Sequence, residues 1–549
     1  MPPAAAAGTL DAASGAPERS GRAKRGWPAW RELAGRTLLA AAGGVAALLA
    51  FPGYALLPLA VLAPAALALA VHGQRARVGA WLGLVCGLAF FVPLLSWTGV
   101  YVGAFPWLAL AVSQALFVAV LGAATAAVSR LRWWPLWTAA LWVADEALRG
   151  RVPLGGFPWG RLGTSQTDGP LLALAAYGGV PLVSFAVALT GTLLAAAVLA
   201  LARSRTTTAT AAGGRRPARR AAAAALAGAA AVPLLGAAAW LPLPGPSLTD
   251  GGPTRTVAVI QGDVPEAGLE FNARRRAVLD NHVQRTLELA EAVAAGERAQ
   301  PDLVVWPENS SDIDPYTNAD AAAQISRAAA AIGAPLLVGA VVEGPGEYLS
   351  NTGIVWDPRT GPGATYVKRH PVPLAEYVPA RAFFRFFSDK VDLVRRDFTS
   401  GTEVGVLEMG GARVGDVICF EVVYDSLVAD TVEAGAGMLV VQTNNATFGY
   451  TDESEQQLAA SRLRAVEFGR TVVVAATSGI SAVVAPDGSL VRRSELFTPA
   501  VFVEEVAQRD STTVAARLGA APEWALSALG AAAVLAVAVP ALRTRRSGR

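Results

Sequence analysis

The segment Val414-Gly415-Asp416-Val417-Ile418-Cys419-Phe420-Glu421 decides how the second half of the chain is read. It is an apolar run of strand length that ends on a thiol and then a carboxylate. Strands buried on both faces read as near-continuous apolar runs, and chemistry in α/β domains gathers at strand C-termini. Two other segments end in the same way. Leu303-Val304-Val305-Trp306 runs into Pro307, Glu308, Asn309 and Ser310, and Thr365-Tyr366-Val367 leads to Lys368, Arg369, His370 and Pro371. Taken singly, Cys419 reads as a buried small hydrophobe, and Glu308 and Lys368 as solvated charges or a structural ion pair. Taken together they form a chemical set. A thiol needs a base to become a nucleophile, a carboxylate supplies one, and an ammonium favours the thiolate and steadies an oxyanion. His370 is the rival base, but Glu308 and Lys368 already fill both roles.

Around these strand ends, from about 253 to 517, charged residues, short apolar runs and Gly/Pro turns have the pattern of a globular α/β domain. The whole chain is nevertheless 53% hydrophobic and 16% charged over 549 residues, against roughly a quarter charged in an average soluble protein. The deficit lies elsewhere. Between Arg36 and Arg130 the only charged residues are Arg75 and Arg77. Four membrane spans are expected there, near 37–50, 55–71, 79–98 and 104–128. A fifth follows Trp133, Trp134 and Trp137, a sixth lies near 171–201, a seventh near 221–241 and an eighth near 524–542. The expected division is a disordered basic cytoplasmic arm (1–35), a seven-span region (36–245), the α/β domain (250–517), a C-terminal transmembrane helix (520–543) and a basic cytoplasmic tail (544–549).

The net charge of +3 argues against a nucleic-acid partner. Its placement is more informative. Basic clusters at 19–36, 75–77, 130–132, 203–220 and 543–549 all fall on one side of eight spans. Cytoplasmic loops retain Lys and Arg, so the α/β domain is expected outside the cytoplasm. Arg149, Arg151 and Arg161 are exceptions, offset by Asp145, Glu146 and Asp168. Cys86 and Cys419 fall in different environments, which excludes a disulfide framework, and His72, His282 and His370 have no metal-ligand spacing. No metal or cofactor is expected.

With Glu308, Lys368 and Cys419 in this order, the domain resembles the nitrilase superfamily, in which a Glu-Lys-Cys triad sits on an α-β-β-α sandwich. Such a domain between a multi-span region and one final span is similar to the apolipoprotein N-acyltransferase family of the bacterial plasma membrane. Val257–Gly262, Trp306-Pro307-Glu308, Asn351-Thr352, Tyr366-Val367-Lys368, Glu376-Tyr377-Val378-Pro379, Cys419-Phe420-Glu421 and Thr443-Asn444-Asn445 carry the resemblance, with Gly156-Phe157-Pro158-Trp159 in an outer loop. Leu374-Ala375 after Pro373, and Phe420 where Tyr is frequent, depart from the family pattern and bear on pocket shape.

The resemblance implies a phospholipid acyl donor, diacylglyceryl-modified apolipoproteins as acceptors and the lipid bilayer as the surrounding partner. It implies Glu308 as base, Lys368 as oxyanion and thiolate stabiliser, Cys419 as nucleophile, and Glu376 and Glu421 as supporting residues. The competing reading of that last pair is ion pairing that orients loops. Phe383, Phe384, Phe386 and Phe387, interleaved with Arg381 and Arg385, read as a lipid-facing loop or alternatively a packed core helix. Trp97, Tyr101, Trp107 and Trp159 read as an aromatic belt. A membrane-tethered amidase sharing the triad, and a non-catalytic scaffold for a polyprenol-phosphate sugar transferase, are the alternatives. Eight spans serve a lipid substrate better than a soluble one.

Overall fold

The computed structural model describes residues 30–100, 102–206, 212–264 and 275–546. Most of the expected N-terminal arm and the end of the basic tail lie outside them, as do Tyr101 and the middle of the 203–220 loop. Within them, α1 (Trp30–Ala50) begins inside the stretch expected to be disordered. The membrane part continues with α2 (Leu62–Val71), α3 (Ala76–Leu94), α4 (Ala104–Val128), α5 (Trp134–Arg149), α6 (Ala175–Thr206) and α7 (Ala212–Ala238). The described flanks of the basic 203–220 loop are therefore helical ends.

Among the described residues six helices are long and apolar enough to cross a membrane: α1, α3, α4, α6, α7 and the last helix, α14 (Ala521–Arg546). The second and fifth expected spans fall short. The second is a 3-10 turn joined to α2 over Leu57–Val71, and α5 has 16 residues; at 1.5 Å per residue α5 covers only about 24 Å of a roughly 30 Å hydrocarbon core. Close packing of α3 on α4 explains the glycine-rich third span. A Cβ at Gly79 would stand 2.4 Å from the Gly122 carbonyl oxygen, and one at Gly83 2.2 Å from that of Val118. Such small-residue stripes let membrane helices approach where no hydrophobic drive exists.

The α/β domain is laid out as β1 (Thr254–Gln261), α8 (Arg275–Ala294), β2 (Leu303–Val305), α9 (Ala319–Ile332), β3 (Leu336–Glu343), β4 (Leu349–Asp357) and β5 (Gly361–Val367). The short α10 (Arg381–Phe387), β6 (Val406–Met409), β7 (Ala412–Ile418), α11 (Asp425–Glu433), β8 (Met438–Thr443) and α12 (Glu453–Phe468) follow. It closes with β9 (Val472–Ala476), β10 (Ala482–Val484), β11 (Leu490–Arg493), β12 (Ala500–Ala507) and α13 (Val514–Leu518). Among the described residues these form two six-stranded mixed sheets, ordered β12-β1-β2-β3-β4-β5 and β11-β10-β9-β8-β7-β6.

Strand alternation assigns the layers. Val257 and Val259 of β1 meet Met438 and Val440 of β8 between the sheets. Ala258 and Ile260 instead face Leu279 and Val283 of α8 and Ile325 of α9. On the other side, Leu439 and Val441 pack with Leu458 and Leu463 of α12 in a core continuous with the membrane helices. The order is thus helix, sheet, sheet, helix, the α-β-β-α sandwich expected, with α11 and α12 wedged between a sheet and the membrane region.

The chain is a multi-pass membrane protein whose domain contacts one end of the helices. At the other end Arg130 donates to the Gly73 carbonyl at 2.8 Å and Arg36 to that of Ala70 at 2.7 Å. The basic loops gather there, on the cytoplasmic side, and the domain lies on the extracytoplasmic face. The outer-side arginine exceptions are absorbed by structure. Arg149 donates to the Phe157, Trp159 and Gly160 carbonyls, Arg151 pairs with Glu523, and Arg161 pairs with Asp425 at 2.7 Å.

Candidate active site

Strand ends from both sheets converge on one point. β7 delivers Cys419, which opens a 3-10 turn with φ +56°, a left-handed conformation that non-glycine residues seldom adopt. The turn lifts the thiol off the sheet. β2 delivers Glu308, β5 delivers Lys368, β4 carries Asn351 near its start, and β8 ends at Thr443 and Asn444. The triad expected from sequence is therefore gathered, although its members are 60 residues apart from Glu308 to Lys368 alone.

Lys368, 1% exposed, donates to Glu308 Oε1 and to Glu376 Oε1, each at 3.0 Å. The Asn351 side-chain amide bridges the same two carboxylates at 2.6 and 3.0 Å, and the Asn444 backbone N–H holds Glu308 Oε2 at 2.9 Å. Val372 N–H holds Glu376 Oε2 at 2.6 Å. Burial pulls the Lys368 ammonium down, but the charges of Glu308 and Glu376, then Cys419 and Glu421, carry it well above the ordinary lysine value. Its ammonium lies between the two carboxyl groups.

Cys419 is half-buried. Burial and the Glu308 charge push its thiol up, while Lys368 and the Thr443 hydroxyl pull the other way. Its sulfur hydrogen-bonds Thr443 Oγ1 at 3.3 Å and Gln457 Nε2 at 3.6 Å. Glu308 and Lys368 act on it through their charges.

The two supporting carboxylates differ. Glu376 touches Lys368 directly. Glu421 does not; fully buried, it accepts from Ile418 N at 2.8 Å, Arg369 N at 2.6 Å, His370 N at 3.0 Å and Tyr366 Oη at 2.9 Å. It ties the backbone before the thiol to the backbone after Lys368. His370 stacks on Tyr424, with centroids 4.5 Å apart, and is absent from the cysteine's hydrogen bonds.

The belt reading of the outer aromatics does not hold for two of them. Trp97 and Trp159 are buried, at 6% and 3% exposure. Trp159 donates to Gln456 Oε1 at 2.6 Å and stacks on Phe420. The outer loop is a wall of the site because the domain covers it. By contrast α10 has no buried residue, and Phe386 is 85% exposed. Phe387 stacks on Phe105 at the outer end of α4, so this segment is no packed core helix. Arg462, Arg464 and Glu467 are ion-paired: Arg464 with Glu467 one turn on and with Asp425, and Arg462 with Asp168 of the membrane part. Asn351, Thr443 and Gln457 join the site as well. Thr443 follows the apolar run Met438–Val441, which marks a strand end, whereas Asn351 lies between Ser350 and Thr352 and Gln457 in the polar run Glu453–Gln457, where no local signal sets them apart.

A cysteine at a strand end, flanked by a Glu–Lys–Glu cluster in a double-sheet sandwich, defines a carbon-nitrogen-hydrolase-type domain, here mounted on membrane helices. Residues 256–516 match the carbon-nitrogen hydrolase family, and residues 43–193 match the apolipoprotein N-acyltransferase N-terminal domain. The apolipoprotein N-acyltransferase of Mycolicibacterium smegmatis is 46% identical over 466 residues, covering 82% of this chain and 76% of its own. That of Azotobacter vinelandii is 32% identical, covering 95% and 96%, and that of Pseudomonas putida 32%, covering 89% and 92%. The chain belongs to the apolipoprotein N-acyltransferase family and is an acyltransferase with a cysteine-based active site.

Proposed function

We propose that Cys419 is the nucleophile, Glu308 the general base and Lys368 the oxyanion and thiolate stabiliser of a two-step transfer. Glu308 takes the thiol proton, the thiolate adds to the sn-1 ester carbonyl of a phospholipid, and the ester C–O bond breaks. The lysophospholipid leaves as the alcohol, carrying that proton, and a thioester remains on Cys419. The α-amino group of an N-terminal diacylglyceryl-cysteine on an apolipoprotein then attacks. An amide bond forms, the C–S bond breaks, and the amine proton returns through Glu308 to the sulfur. Lys368 and a backbone N–H near Cys419 hold the oxyanion in both steps. Glu376 holds Lys368, and Glu421 holds the two loops in register.

The observation that carries this reading is the site's location. Phe420, the residue after Cys419, stacks on Phe157 and Trp159 of an outer loop, so the thiol lies beside the membrane region that would hold a lipid ester. The exposed Phe383, Phe386 and Phe387 suit insertion among lipid chains, with Phe384 half-buried at their base. Eight crossings fit best, with Leu57–Val71 and α5 as short ones, since they keep the basic clusters at 75–77, 130–132 and 203–220 on the cytoplasmic side, the ion-paired outer arginines apart. On this reading 36–245 is the membrane region, 250–517 the catalytic domain and 520–543 the final crossing, with 1–35 and 544–549 cytoplasmic.

Intact mass of the purified protein incubated with phospholipid tests the scheme. A fatty-acyl increment on the wild type, absent from Cys419→Ala and discharged by a diacylglyceryl-cysteine peptide, is the expected result. Free fatty acid without transfer would indicate a hydrolase instead.

A further inference from the structure

Two polar side chains meet the nucleophile's sulfur and have no part in the triad. Thr443 Oγ1 lies 3.3 Å and Gln457 Nε2 3.6 Å from Cys419 Sγ. Both are buried, at 1% and 3% exposure, and they come from different elements, the end of β8 and the second turn of α12. Neither position is arbitrary. Gln457 Oε1 accepts from Asn445 Nδ2 at 2.9 Å, which turns the amide nitrogen of Gln457 toward the sulfur. Asn445 is itself fixed, because its other amide hydrogen goes to Glu453 Oε2 at 2.7 Å.

Thr443 has one proton and two acceptors. Its oxygen is 3.3 Å from the sulfur and 2.9 Å from Gln457 Oε1. We propose that Thr443 and Gln457 hold the thiolate of Cys419, with the Thr443 hydroxyl turning to follow the charge on sulfur. This rests on the reading of Cys419 as nucleophile. With a thiol present, S–H donates to Thr443 Oγ1 and the hydroxyl donates to Gln457 Oε1. When the sulfur is ionised, the hydroxyl turns to it and Gln457 Nε2 adds a second donor. Gln457 Oε1 keeps Asn445 throughout, so no buried group in the set loses its last partner in either state. Only one hydroxyl rotates.

The same exchange serves both halves of the reaction. A thioester sulfur is a poor acceptor, so the hydroxyl returns to Gln457 while the acyl group is attached. When the amine expels the sulfur, the emerging thiolate again finds two donors. The titratable groups that act on that sulfur are Glu308, Lys368 and Glu453, and only Lys368 favours its ionisation. The neutral donors supply what one ammonium, already shared by two carboxylates, supplies in part.

The test uses the full-length protein in detergent micelles. The rate of Cys419 alkylation by iodoacetamide is followed against pH by peptide mass, alongside acyl-enzyme formation from phospholipid. Thr443→Val keeps the shape and removes the hydroxyl. It should raise the alkylation midpoint of Cys419 by about one pH unit and slow acylation roughly 10- to 100-fold, the range for a hydrogen bond to a charged group. Thr443→Ser should restore both. Gln457→Met should shift both in the same direction, and it carries the test if Thr443→Val does not fold. Wild-type alkylation and acylation profiles in Thr443→Val, or a Thr443→Ser protein as impaired as Thr443→Val, would overturn the proposal. Failure of the parent reading looks different: the wild type itself would take up no acyl group at Cys419.

Discussion

The rings of Trp159 and Phe420 stack with centroids 5.3 Å apart and planes 6° from parallel. One belongs to an outer loop of the membrane region and the other directly follows Cys419. The active-site strand end is therefore packed against the membrane part. Trp159→Ala should cost roughly 3–5 kcal/mol, the usual range for an emptied aromatic site, and should lower acyl transfer. Trp159→Phe should retain much of both. Thermal unfolding in detergent beside a transfer assay checks this; an unchanged midpoint and rate for Trp159→Ala would show the stack to be incidental.

Removing Lys368 should do more harm than removing Cys419. Lys368→Met leaves the buried Glu308 and the half-buried Glu376 together without their cation, and breaking a buried pair such as Lys368–Glu308 costs roughly 3–5 kcal/mol. Cys419→Ala removes only the nucleophile. Both variants should lose acyl transfer, but only Lys368→Met should unfold at markedly lower temperature. Equal stability of the two would contradict the cluster's structural role.

Glu421→Gln tests the link between the loops. An amide nitrogen must face donors that a carboxylate satisfies, and each unmet buried group costs roughly 1–3 kcal/mol. Lower stability and slower acylation should appear together, with the lipid donor's KM little changed. A shift confined to KM would place Glu421 on the substrate instead.

Stability should also report on Glu453. Burial pushes this carboxyl up to about 8, with Asn445 and Ser454 only partly opposing and the Glu308 charge adding to the rise. The folded protein thus favours the protonated form. Stability from a neutral Glu453 is complete below the ordinary carboxylate range and is lost as pH rises through about 8. The thermal midpoint should fall between about pH 5 and 8 in the wild type, level off above that, and fall less in Glu453→Gln. Parallel curves would exclude it as the titrating group.

The exposed phenylalanines make a separate prediction. Phe386→Ser, at a position 85% exposed, should leave the thermal midpoint unchanged. It should raise the KM for phospholipid in vesicles roughly tenfold or more, since burying a phenylalanine side chain is worth roughly 1.5–3 kcal/mol. A lower thermal midpoint instead would show that Phe386 packs within the fold.

The amino-acid sequence alone determined what local chemistry determines. Charge-free apolar runs separated the membrane part from the domain, one-sided arginines oriented it, and three strand ends, two of them apolar, running into Glu308, Lys368 and Cys419 marked the site. The short second and fifth helices were harder to read, because apolar length is a weak signal where a span is part turn or carries Asp145 and Glu146. Tertiary structure alone decided the rest. Arg161 meets Asp425 across 264 positions and Trp159 meets Gln456 across 297. That pairing turned two apparent surface residues into a buried bridge and a wall of the site. Thr443 and Gln457 reach the sulfur because a strand end and a helix turn pack together. A hydrogen bond depends on a separation near 3 Å and on direction, and neither is written in spacing along a chain.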